Sequence, residues 1–196
     1  GLITKNKLIL RDLDILEKMA KHDLVRVAIS VTTLQEDVRR LLEPRTATAK
    51  ERLNTIETLS EAGIPVNVMA APIIPGLTEH EVFPIAEAAA IAGALDIHYT
   101  LVRLNGDVET IFLDWLHKAM PDRAQKVENQ IRDYRGGQLG DNRFGKRMRG
   151  EGLRADLLKQ QFTLARKRYF ADKPQRPPYN LDLYEQFKNP QMNLFS

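Results

Sequence analysis

The chain has 196 residues, 43% hydrophobic and 28% charged, which suits one domain or slightly more and excludes wholesale disorder. It has no cysteine, which excludes disulfides, a cysteine nucleophile, thiolate zinc sites and an iron–sulfur cluster ligated by this chain alone. The net charge of +3 hides an asymmetry: residues 121–180 carry 15 Lys/Arg and 7 Asp/Glu, a net +8, and the rest of the chain is net negative.

The chain opens on a short strand candidate at residues 2–4, with no signal-peptide pattern in its first residues, and a start inside a fold is expected. Leu13, Leu16 and Met19 recur at helical spacing over residues 12–20. Residues 25–32 (VRVAISVT) are rich in β-branched side chains and form the second strand candidate. Three Thr-x-x-Glu patterns follow, Thr33/Glu36, Thr48/Glu51 and Thr78/Glu81, each predicting a capping box at a helix start. The first helix must end by Glu43-Pro44, the second at Gly63 and the third at Gly93. Residues 65–70 and 96–104 supply the third and fourth strands. Beyond residue 104 the pattern turns helical, over 108–118, 122–134 and 153–170, around a Gly- and Arg-rich loop at 135–152. Residues 173–178 hold three prolines and read as an extended linker before the tail LDLYEQFKNPQMNLFS.

Strands alternating with helices predict an α/β fold with parallel pairing through right-handed crossovers. Four strands cannot close a barrel, which takes about eight. The alternatives are an open doubly wound sheet or an incomplete parallel (β/α) barrel whose first strands lie upstream, and the start within a strand favours the barrel. The expected division is 1–107 for the barrel part, 108–172 for a helical, basic extension, and 173–196 for linker and tail. No apolar stretch approaches the ~18–20 residues of a membrane span, and a cytoplasmic location is expected.

Two features of the basic half bear on binding. Residues 140–147 (GDNRFGKR) fall short of a phosphate-loop pattern: Arg147 stands where Ser or Thr would ligate magnesium, and no apolar strand leads in. Arg143, Lys146, Arg147 and Arg149 remain candidates for gripping an anionic substrate or a nucleic-acid backbone, the alternative being a flexible surface loop. In parallel α/β folds ligands sit at the carboxyl ends of the strands, which here offer Thr4-Lys5, residues 30–33, residues 70–75 and residues 103–105. These groups suit a polar ligand bearing a carboxylate and ribose hydroxyls. The four histidines show no metal-ligand spacing, and no nucleophile–base pair stands out.

The ordered series Thr4-Lys5, VAISVTT, Leu42-Glu43-Pro44-Arg45, Glu51-Arg52-Leu53, Ala62-Gly63-Ile64-Pro65 and Ala70-Ala71-Pro72-Ile73-Ile74-Pro75-Gly76 resembles the radical SAM superfamily, and within it the branch related to spore photoproduct lyase. The resemblance implies a partial barrel holding a [4Fe–4S] cluster and S-adenosylmethionine (SAM), with the cluster cleaving SAM to a radical that abstracts hydrogen from a substrate. It also implies that Lys5 binds the SAM carboxylate, that Ser30 contacts the methionine or ribose portion, and that the Ala71 backbone touches the nucleoside. Thr32, Glu43 and Arg52 are weaker candidates, read equally as strand-end bonding, loop fixing and a solvated helix face. The family's Cys-x-x-x-Cys-x-x-Cys is missing. The cluster ligands are therefore expected upstream of Gly1, and this chain alone is expected to be inactive.

The tail residues Gln191, Leu194 and Phe195 resemble the peptide by which bacterial polymerases and repair proteins dock on the β sliding clamp. With the +8 region and a family branch that repairs a thymine lesion, this makes DNA a candidate partner. The alternative function is a non-catalytic, repair-associated module recruited through that tail. A third, weaker reading makes Lys5 the Schiff-base lysine of a small aldolase-like barrel.

Overall fold

β-branched and apolar side chains alternate over residues 27–30, 66–70 and 97–101, and each run becomes a strand with one face buried. In the computed structural model, which describes residues 1–188, the strands are β1 (Leu2–Thr4), β2 (Val27–Ser30), β3 (Val66–Ile73) and β4 (Ile97–Leu101). They form one parallel sheet in the order β1-β2-β3-β4, with Leu2 opposite Val27, Val27 opposite Val66 and Val68 opposite Ile97. The order follows the sequence without reversal, unlike a doubly wound sheet. This is an α/β architecture compatible with a partial radical SAM barrel.

The helices are α1 (Leu13–Ala20), α2 (Glu36–Leu42), α3 (Ala49–Glu61), α4 (Val82–Ile91), α5 (Asp107–Ala119), α6 (Pro121–Asp133), α7 (Leu153–Tyr169) and α8 (Leu181–Lys188). A 3-10 helix at Lys7–Asp12, capped by the Asn6 side chain, precedes α1 and was not expected from the sequence. α8 lies within the tail for which no helix was expected. Of the three predicted capping boxes, only Thr48/Glu51 forms, with both reciprocal bonds made. At the first site α2 starts instead after Gln35, because Thr33 donates to Glu81 at 2.5 Å and accepts from the Gln35 N–H. At the third, the Thr78 hydroxyl turns back to accept from Ile74 N at 2.9 Å, and a short 3-10 helix precedes α4. The two false boxes are thus one tertiary link, Thr33 to Glu81. Gly93 ends the α4 turn at φ +95°, where a side chain would also strike Ser60 Oγ.

One face of the sheet is covered. Val27, Ile29, Val66, Val68, Ile97, Tyr99 and Leu101 pack against Ile56 and Leu59 of α3, Ile85 and Ala89 of α4, and Leu158, Phe162 and Ala165 of α7. The core therefore runs past residue 107 without a break: Phe162 stacks on Tyr99 with ring centroids 4.1 Å apart. A second cluster joins α2, α5 and α6 to the carboxyl ends of β3 and β4 through Val38, Ile74, Leu77, Val102, Leu104, Leu116 and Val127. On the opposite face Ala28, Met69, Ala71, His98 and Thr100 stay half-buried. Parallel sheets are normally covered on both faces, so this less covered side is the natural place for a ligand.

Residues 173–180 have no regular structure yet are held throughout. Lys173 bonds Ala90 O at 2.7 Å, Arg176 pairs with Asp96 at 3.3 Å, Arg26 donates to Pro177 O and lies over the Tyr179 ring, and Asn180 N bonds Asp23 O. This segment crosses the amino ends of the strands from β4 towards β1.

Candidate functional site

At the carboxyl end of the sheet one buried network ties three strands together. Arg52, from the first turn of α3, is 2% exposed, which corrects the solvated-face reading of it. Its guanidinium donates to Ala47 O at 2.9 Å, Ser30 O at 2.8 Å, Thr46 Oγ1 at 2.5 Å and Glu43 Oε2 at 2.6 Å. Glu43, just past α2, is also bonded by Lys5 Nζ and by Thr32 Oγ1, the latter at 3.0 Å. Thr32 Oγ1 further donates to Ala71 O at 3.1 Å. Burial pushes the Glu43 carboxyl up, but Lys5 and Arg52 outweigh it and hold the group below the ordinary glutamate value.

Lys5, Ser30 and Ala71, from the ends of β1, β2 and β3, are therefore linked through Glu43, Arg52 and Thr32. The network leaves ligand-binding capacity unused. The Lys5 side chain is 35% exposed, the Ser30 hydroxyl makes no hydrogen bond among the described residues, and Ala71 is half-buried on the less covered face. An ammonium, a carboxylate and a hydroxyl at adjacent strand ends match the charged ends of an amino-acid-bearing ligand.

The loop at 135–152 does not present four free cations. Arg143 is bidentate to Asp141, at 3.0 and 2.8 Å, and also bonds Glu151, while Lys146 reaches Glu151 at 2.5 Å. The Arg143 contacts hold Asp141 at about 2 and raise Arg143, and Glu151 is lowered by Lys146 and Arg143. Arg149 lies over the Tyr99 ring at 4.4 Å and Arg147 over Phe144 at 5.5 Å. The clamp candidates Gln191, Leu194 and Phe195 lie outside the described residues.

Residues 3–89 match the Radical SAM superfamily model. The matched region contains β1 to β3, α1 to α3, most of α4 and the whole Lys5–Glu43–Arg52 network. In that family SAM and a [4Fe–4S] cluster are the implied cofactors. The uncharacterized protein Rv2578c of Mycobacterium tuberculosis is 31% identical over 135 residues, which is 67% of this chain and 39% of its own length. The uncharacterized protein MJ0683 of Methanocaldococcus jannaschii is 25% identical over 130 residues, 66% of this chain and 47% of its own. The chain thus spans less than half the length of these relatives.

The residues present do not fit an iron–sulfur cluster: the sequence has no cysteine, and among the described residues no group of three or more His, Cys, Asp or Glu could hold a metal ion. No helix among them is long and apolar enough to cross a membrane. The buried role of Arg52 escaped the sequence reading because an arginine in an amphipathic helix reads as surface; its only signal was the company of Glu43 and Lys5.

Proposed function

We propose that this chain is the SAM-binding arc of a radical SAM enzyme. The observation that carries the reading is the family match over residues 3–89, which covers the three strand ends bearing Lys5, Ser30 and Ala71. Lys5 takes the SAM carboxylate, Glu43 faces its ammonium while remaining anchored to Arg52, Ser30 bonds the methionine or ribose portion, and the Ala71 backbone lies against the nucleoside. A cluster would have to be ligated by cysteines outside these 196 residues, so no electron-transfer step is assigned to this chain.

SAM binding by this chain, measured by equilibrium dialysis, tests the arc. Radical chemistry is tested on the natural polypeptide that carries both this segment and a cysteine triad, reconstituted anaerobically and reduced with dithionite. Release of 5′-deoxyadenosine supports the enzyme reading; a reconstituted cluster without SAM cleavage overturns it.

The substrate proposed for the whole enzyme is nucleic acid. Support comes from the +8 charge of residues 121–180 and from Phe144, 91% exposed beside Arg147 and free to stack on a base. DNA affinity that falls steeply with salt is the expected result. Recruitment to a sliding clamp through Gln191, Leu194 and Phe195 rests on the sequence motif, and a Leu194→Ala/Phe195→Ala variant tests it by loss of clamp binding.

A further inference from the structure

Beyond the SAM network, a cleft of about 990 Å³ lies where β4 runs out into Leu104, Asn105 and Gly106 and meets the loop at 135–143. Its lining carries three arginines and three carboxylates, not all of them paired with one another. Arg132 is paired with Glu128 at 2.9 Å, and Arg143 and Lys146 consume Asp141 and Glu151. Arg135 is different: it lines the cleft, is 2% exposed, and has no carboxylate partner among the described residues. Its Nη2 donates to Val102 O at 2.5 Å and Arg147 O at 3.2 Å, and its buried Nη1 has no partner. A buried guanidinium satisfied by carbonyls alone, with a donor left over, is a costly arrangement.

Nearby groups point the same way. The buried Asn105 Oδ1, also in the cleft lining, is an unsatisfied acceptor. Arg103, two residues earlier, lies outside the lining but close enough to lower the Arg135 guanidinium electrostatically; it is exposed and makes no ion pair among the described residues. Gly140 brings the loop backbone so near β4's exit that a Cβ there would sit 2.3 Å from Leu104 O. Glu109 at the rim is also unpaired among the described residues, and offers an acceptor to the same ligand.

We propose that this cleft is an anion-binding subsite, with Arg135 and Arg103 holding a phosphate or carboxylate group of the substrate while Asn105 and Glu109 accept from its hydroxyl or amine donors. Its anion binding is independent of the SAM reading. Its role as the substrate end of the site rests on that reading, because both places lie at the carboxyl end of the same sheet.

The test needs neither SAM nor a cluster. The ¹⁵N-labelled 196-residue chain is titrated separately with inorganic phosphate and with acetate to about 20 mM, enough to saturate a site of about 1 mM affinity. Saturable shifts confined to residues 103–106 and 135–141 support the subsite, and the preferred anion tells a phosphate-bearing from a carboxylate-bearing substrate. Arg135→Lys is expected to weaken binding about tenfold or more. Because Arg135 also holds two carbonyls, Arg103→Gln serves as the variant that leaves the fold alone, with a loss of about threefold or more. Absence of saturable shifts, shifts at Lys5 instead of the cleft, or unchanged affinity in both variants would overturn the proposal. Loss of SAM binding with intact phosphate binding would overturn only the SAM reading.

Discussion

Glu43 joins Lys5 to Arg52: one carboxylate oxygen accepts from the Lys5 ammonium at the end of β1, the other from the Arg52 guanidinium at 2.6 Å. A residue in a loop thereby couples the edge strand to a buried helix position, and one titratable group decides whether the Lys5 ammonium is held.

Glu43→Gln should cost about 2–4 kcal/mol at neutral pH, since it leaves the buried Arg52 charge without its carboxylate. The pH dependence has a fixed sign. The folded-state value of Glu43 is lowered, so its stabilising contribution is fully present above the unfolded value near 4.5 and is lost as pH falls through the folded value. Urea midpoints of wild type and Glu43→Gln should therefore converge below that window. A constant gap between them at all pH values would contradict the ion-pair account.

Lys5→Met should lower SAM affinity about tenfold or more by removing a charge-assisted bond to the ligand carboxylate. The far-ultraviolet circular dichroism should be unchanged, because Lys5 is partly exposed and bonds only Glu43. Equilibrium dialysis with radiolabelled SAM gives the number.

Thr48→Ala should cost about 1 kcal/mol, the usual worth of a helix N-cap. Thr33→Val should cost about 1–3 kcal/mol, because it leaves Glu81 and the Gln35 N–H without their buried hydroxyl partner. Chemical denaturation of the two variants against wild type measures both costs.

Phe162→Ala should cost about 3–5 kcal/mol, since the ring is fully buried on Tyr99 between α7 and β4. Phe144→Ala, at 91% exposure, should change stability by less than about 0.5 kcal/mol while weakening DNA binding if the ring stacks on bases. Thermal unfolding and a fluorescence-anisotropy titration measure the two effects separately.

The strands were legible because their β-branched runs carry the signal locally. The Thr48/Glu51 cap was legible because both partners lie within one turn. Thr33 and Thr78 were misread because each hydroxyl finds a better partner elsewhere: Glu81, forty-eight residues on, and the Ile74 N–H. Local propensity yields wherever a buried carboxylate needs a donor. The same holds at the site. Lys5, Ser30 and Ala71 could be named from pattern and family resemblance, but the chain of bonds that joins them passes through Arg52. Arg135 stayed hidden because nothing in the sequence around a Tyr-Arg-Gly-Gly turn says that the arginine folds inward.

The crossing of residues 173–180 beneath the sheet bears on how the molecule is made. Arg26 and Pro177 are bonded across 151 positions of chain. On a ribosome adding about 5–20 residues per second, that partner arrives roughly 8–30 s after Arg26 does. The successive strand–helix units can pair as they emerge, each with its immediate predecessor. The amino ends of the strands meet residues 173–180 later: Arg26 waits 151 positions of chain for Pro177, Ala90 waits 83 for Lys173 and Asp96 waits 80 for Arg176.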